Sequence, residues 1–269
     1  MIKKLILIIT CSVILNADID AKVRDLLGAN DYATHKNLIT HLFSNESNFY
    51  INNQIDYTKI MQELDKNGVL KSTGGANQRI SFSFTANKDP KKTIRNISEI
   101  LKSMGQYNFI TKEEIVVDDS LKWTIEIKTA AAISPLKLSQ ELQSINCYIV
   151  DIKREGNYDW NYSLNTNNSS VYKAEDLIQN SQLSLKKPLK PYMIKIAGAK
   201  VINIKSVPGN IWYPSVVFYN DSLNIIGTYQ ENSLHKSLKL EVPKNTKYIK
   251  IDDLYTLANI RQGINITKE

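Results

Sequence analysis

Apolar and polar residues alternate with three different rhythms along this chain, and each rhythm predicts a different kind of element. An unbroken apolar run, Leu5 to Leu15, follows the basic start Met1-Ile2-Lys3-Lys4 and leads through Asn16-Ala17 into polar Asp18-Ile19-Asp20. Residues 20–68 then repeat their apolar positions at helical spacing. Asp31 is placed to cap a helix with Tyr32, Leu38, Ile39, Leu42 and Phe43 on its inner face. Asp56 caps another, with Ile55 and Ile60 as a hydrophobic staple and Asn67-Gly68 as its stop. The stretch Ser72-Thr73-Gly74-Gly75-Ala76 lacks the Lys-Ser/Thr ending of a phosphate loop and precedes a strand, so it reads as a connector.

From residue 79 a period of two takes over. Ile80, Phe82 and Phe84 alternate with Ser81, Ser83 and Thr85, the signature of a half-buried strand. Asp89 caps and Pro90 opens a helix carrying Ile94, Ile97, Leu101 and Met104, which Gly105 stops. Residues 107–117 form a strand, Asp118-Asp119-Ser120 a turn, and Trp123, Ile125 and Ile127 the inner face of the next strand. Ser134-Pro135 opens a second helix with Leu138, Leu142 and Ile145, ended by Asn146, and residues 147–154 and Tyr158–Leu164 return as strands. The order is β-α-β-β-α-β with one extra strand, the ferredoxin-like order, with both helices on one face of an antiparallel sheet. Asn165–Ser170 has the composition of a linker and Tyr172–Gln179 reads as a short helix. Beyond Pro188, seven short runs punctuated by turn residues predict a β-sandwich: Tyr192–Ile196, Lys200–Lys205, Ser215–Tyr219, Ile225–Tyr229, Leu238–Val242, Tyr248–Ile251 and Gly263–Thr267.

The N-terminal run has the basic, apolar and small-residue parts of a secretory signal peptide, cut after Ala17 and too short to span a bilayer comfortably; an uncleaved anchor is the alternative. Thr10 before Cys11 and the short preceding run argue against a lipoprotein. Cleavage lowers the formal charge from +7 to +5 and leaves Cys147 alone, so no internal disulfide forms. Cys147 opens an apolar strand and reads as a buried thiol. Of the 34 basic residues 29 are Lys, scattered among acids, and Arg, which grips phosphates and bases bidentately, is scarce; nucleic acid is not an expected partner. Three His and two Cys exclude a Cys-rich zinc module, and His35 and His41 fall on different helical faces, so no metal and no cofactor are expected.

Val216-Val217-Phe218-Tyr219-Asn220-Asp221-Ser222-Leu223-Asn224-Ile225-Ile226 resembles a strand–turn–strand of galactose-binding-like jelly rolls, and Val242-Pro243-Lys244-Asn245-Thr246-Lys247-Tyr248-Ile249-Lys250-Ile251 resembles their next turn and strand. The resemblance covers about 80 C-terminal residues and mainly concerns framework positions. It implies a sugar site of loop aromatics and a polar residue, for which Trp212, Tyr213, Tyr229, Tyr255, Asn259 and Arg261 are the candidates, each against a core or turn role. Asp159-Trp160-Asn161-Tyr162-Ser163 is an Asn-x-Ser sequon with an acid two residues earlier, and resembles the extended acceptor of Campylobacter-type bacterial N-glycosylation. Asn161 is thus a glycosylation candidate; the alternative is an edge strand with Trp160 packed inward. With the Lys/Asn/Ile bias and the signal peptide, the chain resembles periplasmic proteins of that bacterial group.

The expected class is α+β: signal peptide 1–17, helical segment 18–71, ferredoxin-like domain 79–164, linker with a short helix 165–187, and a jelly-roll-like β-sandwich 188–269. Catalytic chemistry is poorly supplied. His235 lies in a polar loop, no Gly-x-Ser-x-Gly elbow exists, Glu113-Glu114 point to opposite strand faces, and Asp252-Asp253 lacks the alternation of a Ca²⁺ loop. The expectation is a non-catalytic periplasmic protein contacting other periplasmic or envelope proteins, as in motor, pilus or secretion assemblies, with no membrane span after cleavage. Helices followed by a ferredoxin-like domain resemble such subunits. The alternative is a glycan- or peptidoglycan-binding protein using the C-terminal sandwich.

Overall fold

A computed structural model describes residues 19–51, 53–72, 78–129, 132–179, 181–196 and 198–269; the segment expected to be a signal peptide, with Cys11, and all but the first residue of the Gly-rich connector lie outside the described residues. The chain is mixed α/β and builds two cores.

The first part contains α1 (Ile19–Leu27), α2 (Ala29–Leu42), the short ladder of β1 (Tyr50–Ile51) with β2 (Gln54–Ile55), and α3 (Tyr57–Lys66). Asp56 caps α3, its side chain accepting from the Lys59 N–H at 3.0 Å, and Gly68 leaves the helix at φ +69°. Asp31 does not cap α2. Gly28, at φ +79°, holds the N-cap position, and Asp31 sits inside the first turn, where it pairs with Lys71 (2.7 Å) and Arg154 (3.4 Å). The glycine's access to positive φ breaks α1 from α2 before the first acid is reached.

The elements β3 (Gln78–Ala86), α4 (Pro90–Ser103), β4 (Ile110–Val117), β5 (Ser120–Thr129), α5 (Pro135–Gln143), β6 (Tyr148–Glu155) and β7 (Asp159–Asn165) follow in the order the sequence predicts. Their arrangement differs. The sheet runs β4-β5-β3-β7-β6, so the strand returning from α5 does not lie beside β3; β7 does, parallel to it, and β6 is displaced to the edge. The sheet is therefore mixed, not antiparallel. The aromatic content of β7 explains the exchange: Trp160 and Tyr162 are both buried, whereas β6 carries a bulge between Ile149 and Asp151 and exposes Tyr148 and Val150. Their large ring surfaces leave water in the central place, where Tyr162 stacks on Phe84 with ring centroids 5.5 Å apart. Ile80, Phe82, Phe84, Trp123, Ile125 and Ile127 face α4 and α5, and Val23 of α1 and Ile60 of α3 belong to the same core. The N-terminal helices and the sheet thus form one cored unit, not two segments.

The region expected to be a linker with a short helix contains neither as drawn. Asn96 donates to the Ser170 carbonyl and accepts from the Tyr172 N–H (both 2.9 Å), which pins the connector to α4, and Tyr172 is buried in the first core. Strands β8 (Glu175–Asp176) and β9 (Gln182–Leu185) then replace the helix. The Asp176 carboxylate accepts from the Ile178 N–H at 2.7 Å, turning the chain so that Leu177 enters the second core. All seven strands expected beyond Pro188 are present: β10 (Tyr192–Lys195), β11 (Val201–Ser206), β12 (Pro214–Tyr219), β13 (Ile225–Gln230), β14 (Ser237–Glu241), β15 (Tyr248–Asp253) and β16 (Ile264–Lys268). They form the sheets β13-β12-β15-β10-β8 and β14-β11-β16-β9. Ile194, Val216, Ile249 and Ile251 from one sheet meet Ile202, Ile204, Ile264 and Ile266 from the other in a single core, compatible with a β-sandwich.

One end of the second module sits on the first. Register places Tyr219 opposite Tyr248 and Pro214 opposite Asp253, so the β12–β13 turn and the loop after β15 lie at opposite ends. The turn meets the start of α4. Lys91 donates to Asn224 (2.7 Å), Ser222 donates to Asp89, and Lys92 lies 2.8 Å from Asp89 and 3.3 Å from Asp221. Asp89 occupies the N-cap position of α4 at φ +56° but makes no side-chain cap. Its carboxylate is fully buried against Lys92 of the same helix, also fully buried, so an ion pair within the first turn of α4, which Ser222 and Asp221 of the second module join, takes the place of the expected cap. Lys190–Glu99 and the Val171 N–H to the Tyr248 hydroxyl (3.2 Å) complete the junction.

Candidate functional site

The far end of the sandwich gathers most of the sugar-binding candidates. Asp253, buried at the end of β15, organises it: one carboxylate oxygen accepts from the Tyr213 N–H (2.8 Å), the other from the Tyr255 and Thr256 N–H groups (2.9 and 3.0 Å) and Asn259 Nδ2 (3.0 Å). Asp252 accepts from the Asp253 N–H at 2.8 Å. This acidic pair is therefore engaged in shaping the loop. The loop holds Tyr255, 60% exposed, edge-to-face on Tyr213 with ring centroids 5.1 Å apart. The Tyr255 hydroxyl donates to Asn232 and that of Tyr229 to Glu231. Arg261 is exposed just after the 3-10 turn Leu257–Ile260. Trp212 does not belong to this surface. It is fully buried in the sandwich core with its indole N–H on the Asp252 carbonyl at 3.0 Å, so the structure corrects it from binding candidate to core residue.

Beside this loop, Glu231, Ser233 and His235 touch one another. Ser233 donates to Glu231 at 2.8 Å, and Nε2 of His235 lies 3.0 Å from both Ser233 Oγ and Glu231 Oε2. The hydroxyls of Tyr229 and Ser233 hold the Glu231 carboxyl below its usual range. The arrangement lacks the logic of a nucleophilic triad, in which the carboxylate orients one imidazole nitrogen and leaves the other to deprotonate serine; here one nitrogen serves both. Cys147 is buried and its thiol is pushed up to about 12 by burial, the opposite of an activated nucleophile. No group of three or more His, Cys, Asp and Glu suited to a metal ion occurs among the described residues.

Asn161 lies on β7, on the sheet face away from the helices, half-buried between β3 and β6. Trp160 packs inward with the Arg154 guanidinium 5.2 Å from its ring, but the strand is internal, which corrects the edge-strand alternative. Ser83 and Thr124 bond at 2.9 Å on the same polar face, and Arg79 reaches Glu126 at 3.7 Å.

The least expected surface is the edge formed by β4. Its one substantial neighbour is β5. At the opposite edge, β6 has α1 against it, with Lys22 on Asp151 at 2.8 Å and Arg154 on the Leu27 carbonyl at 3.1 Å. Nothing comparable covers β4 among the described residues, yet it exposes Ile110, Ile115, Val116 and Val117, with Tyr107 beside them. A bare strand edge carries unpaired N–H and C=O groups, and natural sheets ordinarily shield it with charge, proline, bulges or a covering element. β4 has a single bulge, between Thr111 and Glu113, and is regular from there to its turn. The sequence contained a signal for this surface. Ile115-Val116-Val117 breaks the period of two, making both strand faces apolar, and the second strand of a β-α-β-β-α-β order lies at a sheet edge.

No protein-family model matches the chain, and no curated protein matches it. Among solved structures, a secreted serine protease from Vibrio cholerae, VesC, is similar at a TM-score of 0.25 and 10% identity over 73% of this chain and 45% of that one; the chain thus spans under half of that protein's length. So loose a likeness carries no argument. No helix among the described residues is long and apolar enough to cross a membrane.

Proposed function

We propose that this chain is a non-catalytic exported protein of the periplasm that works by protein–protein contact within a cell-envelope assembly, with the β4 edge as its contact strip. The observation that carries the reading is the exposed apolar edge of β4, on a sheet whose other edge carries α1. The bonds from Asp89, Lys91 and Lys92 of α4 to Ser222, Asn224 and Asp221 of the second module support it, because a scaffold transmits position only if its modules keep a fixed relation. In this reading the first module is a ferredoxin-like unit with a fifth strand inserted, and the second a jelly-roll-like sandwich. The single imidazole nitrogen shared by Ser233 and Glu231 supports a non-catalytic role. A photo-crosslinking residue placed at Ile110, in cells that make the protein natively, tests the reading. Adducts from Ile110 but not from Lys128, on the same sheet, are expected; a silent Ile110 refutes it.

The Tyr213–Tyr255 pair favours a second reading, glycan or peptidoglycan binding at the far end of the sandwich. Tyrosine rings at right angles, one of them exposed, form a ledge on which a sugar ring can lie. Retention of the protein on purified cell wall, lost in Tyr255→Ala, is the expected result of that reading; equal behaviour of both proteins excludes it.

A further inference from the structure

We propose that the β4 edge pairs with the β4 edge of a second copy of this chain, antiparallel about a two-fold axis through Ile115, joining two five-stranded sheets into one. The inference rests on the contact reading above and names its partner.

The phase of the ladder decides which backbone groups are available. The two-residue turn Asp118-Asp119 makes Val117 and Ser120 the closing pair of the hairpin, so Val117, Ile115 and Glu113 direct their backbone groups to β5. Val116 and Glu114, between them, turn theirs outward. The register also sorts the side chains. Glu114 and Val116 lie opposite Trp123 and Leu121 on the helix-covered face, while Glu113, Ile115 and Val117 lie opposite Thr124, Lys122 and Ser120 on the open face. A second copy must therefore meet outward residues with outward residues and keep like faces together, which puts the axis on a residue; the bulge before Glu113 and the turn after Val117 then leave the symmetric registers centred on Glu114, Ile115 or Val116 as those with paired strand on both sides.

Charge then separates the three. Centring on Glu114 sets that carboxylate against its own copy. Centring on Val116 sets Glu114 against Asp118 and Glu113 against Asp119. Like charges directly opposite destabilise a sheet, so both are disfavoured. Centring on Ile115 instead pairs Glu114 with Val116, Glu113 with Val117, and Lys112 with Asp118, each twice by symmetry. Among the described residues Lys112, Asp118 and Asp119 form no ion pair within the chain, and Glu113 is already matched by Lys122 at 2.7 Å. The pairing thus has Ile115, Val116 and Val117 at its centre and a Lys–Asp pair at each end. The bulge at Lys112 limits it to that length.

In this register the two Ile115 form a non-hydrogen-bonded pair with Cα atoms about 4.5 Å apart, within disulfide reach, whereas the two Val117 stand about 14 Å apart. Sedimentation equilibrium of the full chain as its cell processes it is expected to give twice the mass of one chain. Ile115→Lys, which faces two ammonium groups across the axis, is expected to give a single chain with unchanged circular dichroism. In a Cys147→Ala background, Ile115→Cys is expected to form a disulfide-linked pair under mild oxidation and Val117→Cys is not; this arm does not depend on how Ile115→Lys folds. A double mass that persists in Ile115→Lys, or equal crosslinking by both cysteines, overturns the proposal. A single-chain mass for the unaltered protein overturns it too, and leaves the contact reading standing if Ile110 still crosslinks to a different protein. If Ile110 is also silent, both fall.

Discussion

Removing the ammonium group at the junction by Lys92→Met should cost about 3 kcal/mol of stability. Lys92 and Asp89 are both fully buried, with Nζ 2.8 Å from Oδ2. Deleting one member of a buried pair ordinarily costs about 3–5 kcal/mol, because the remaining charge is left in a medium that solvates it poorly. Here the loss belongs at the low end. Ser222 still donates to the Asp89 carboxylate, and a hydrogen bond to a charged group offsets about 1.5–3 kcal/mol. Asp221, the other acid near Lys92, is half-exposed and is solvated without it. If the cost is the stranded charge and not lost packing, neutralising Asp89 as well should relieve it. Asn tolerates the positive φ at position 89 and keeps an acceptor for Ser222, so Asp89→Asn/Lys92→Met should return to within about 1 kcal/mol of the parent. Urea titration followed by tryptophan fluorescence measures both, since Trp123 and Trp160 report the first core and Trp212 the second. A cost below about 1 kcal/mol for Lys92→Met, or a double variant no better than the single one, would refute the stranded-charge account.

Two further outcomes follow from the same geometry. Trp212→Ala should cost about 3–5 kcal/mol as a cavity in the sandwich core, while Tyr255→Ala should cost under about 1 kcal/mol, and thermal unfolding compares them directly. Acid should loosen the N-terminal helices: the Asp31 carboxyl is held low by its hydrogen bond to Lys71, and Asp151, which burial alone would raise, is held low by Lys22 and Tyr57. A depressed carboxylate contributes stability that is complete above its ordinary pKa of about 4 and is lost as pH falls through the lower folded value, so the hydrogen-exchange protection factors of α1 and α2, corrected for the intrinsic rate at each pH, should fall below about pH 4 and stay constant above it.

Local chemistry alone determined much of this protein. The caps at Asp56 and Ser134, the strands around Phe82, Trp123 and Trp160, and all seven strands beyond Pro188 were legible because each depends on neighbours within a few residues: an oxygen reaching an N–H three positions on, or a side chain alternating with the pleat. Asp89 shows where that reading stops. Its sequence context is that of a cap, but a carboxylate whose partners include Ser222, 133 positions away, is assigned by what folds against it. Trp212 likewise follows the turn-like Pro208-Gly209-Asn210, and is buried because it joins the core between both sheets, with its indole N–H on the Asp252 carbonyl. The place of β7 beside β3 and the covering of β6 by α1 are relations that no period records, and Ile115-Val116-Val117, though it marks β4 by breaking the period of two, does not say that among the described residues nothing comparable would cover it. Sequence therefore specified the elements and their inner faces. Tertiary structure alone decided which edge remained open, because an unpaired N–H is a property of what is absent beside it in space.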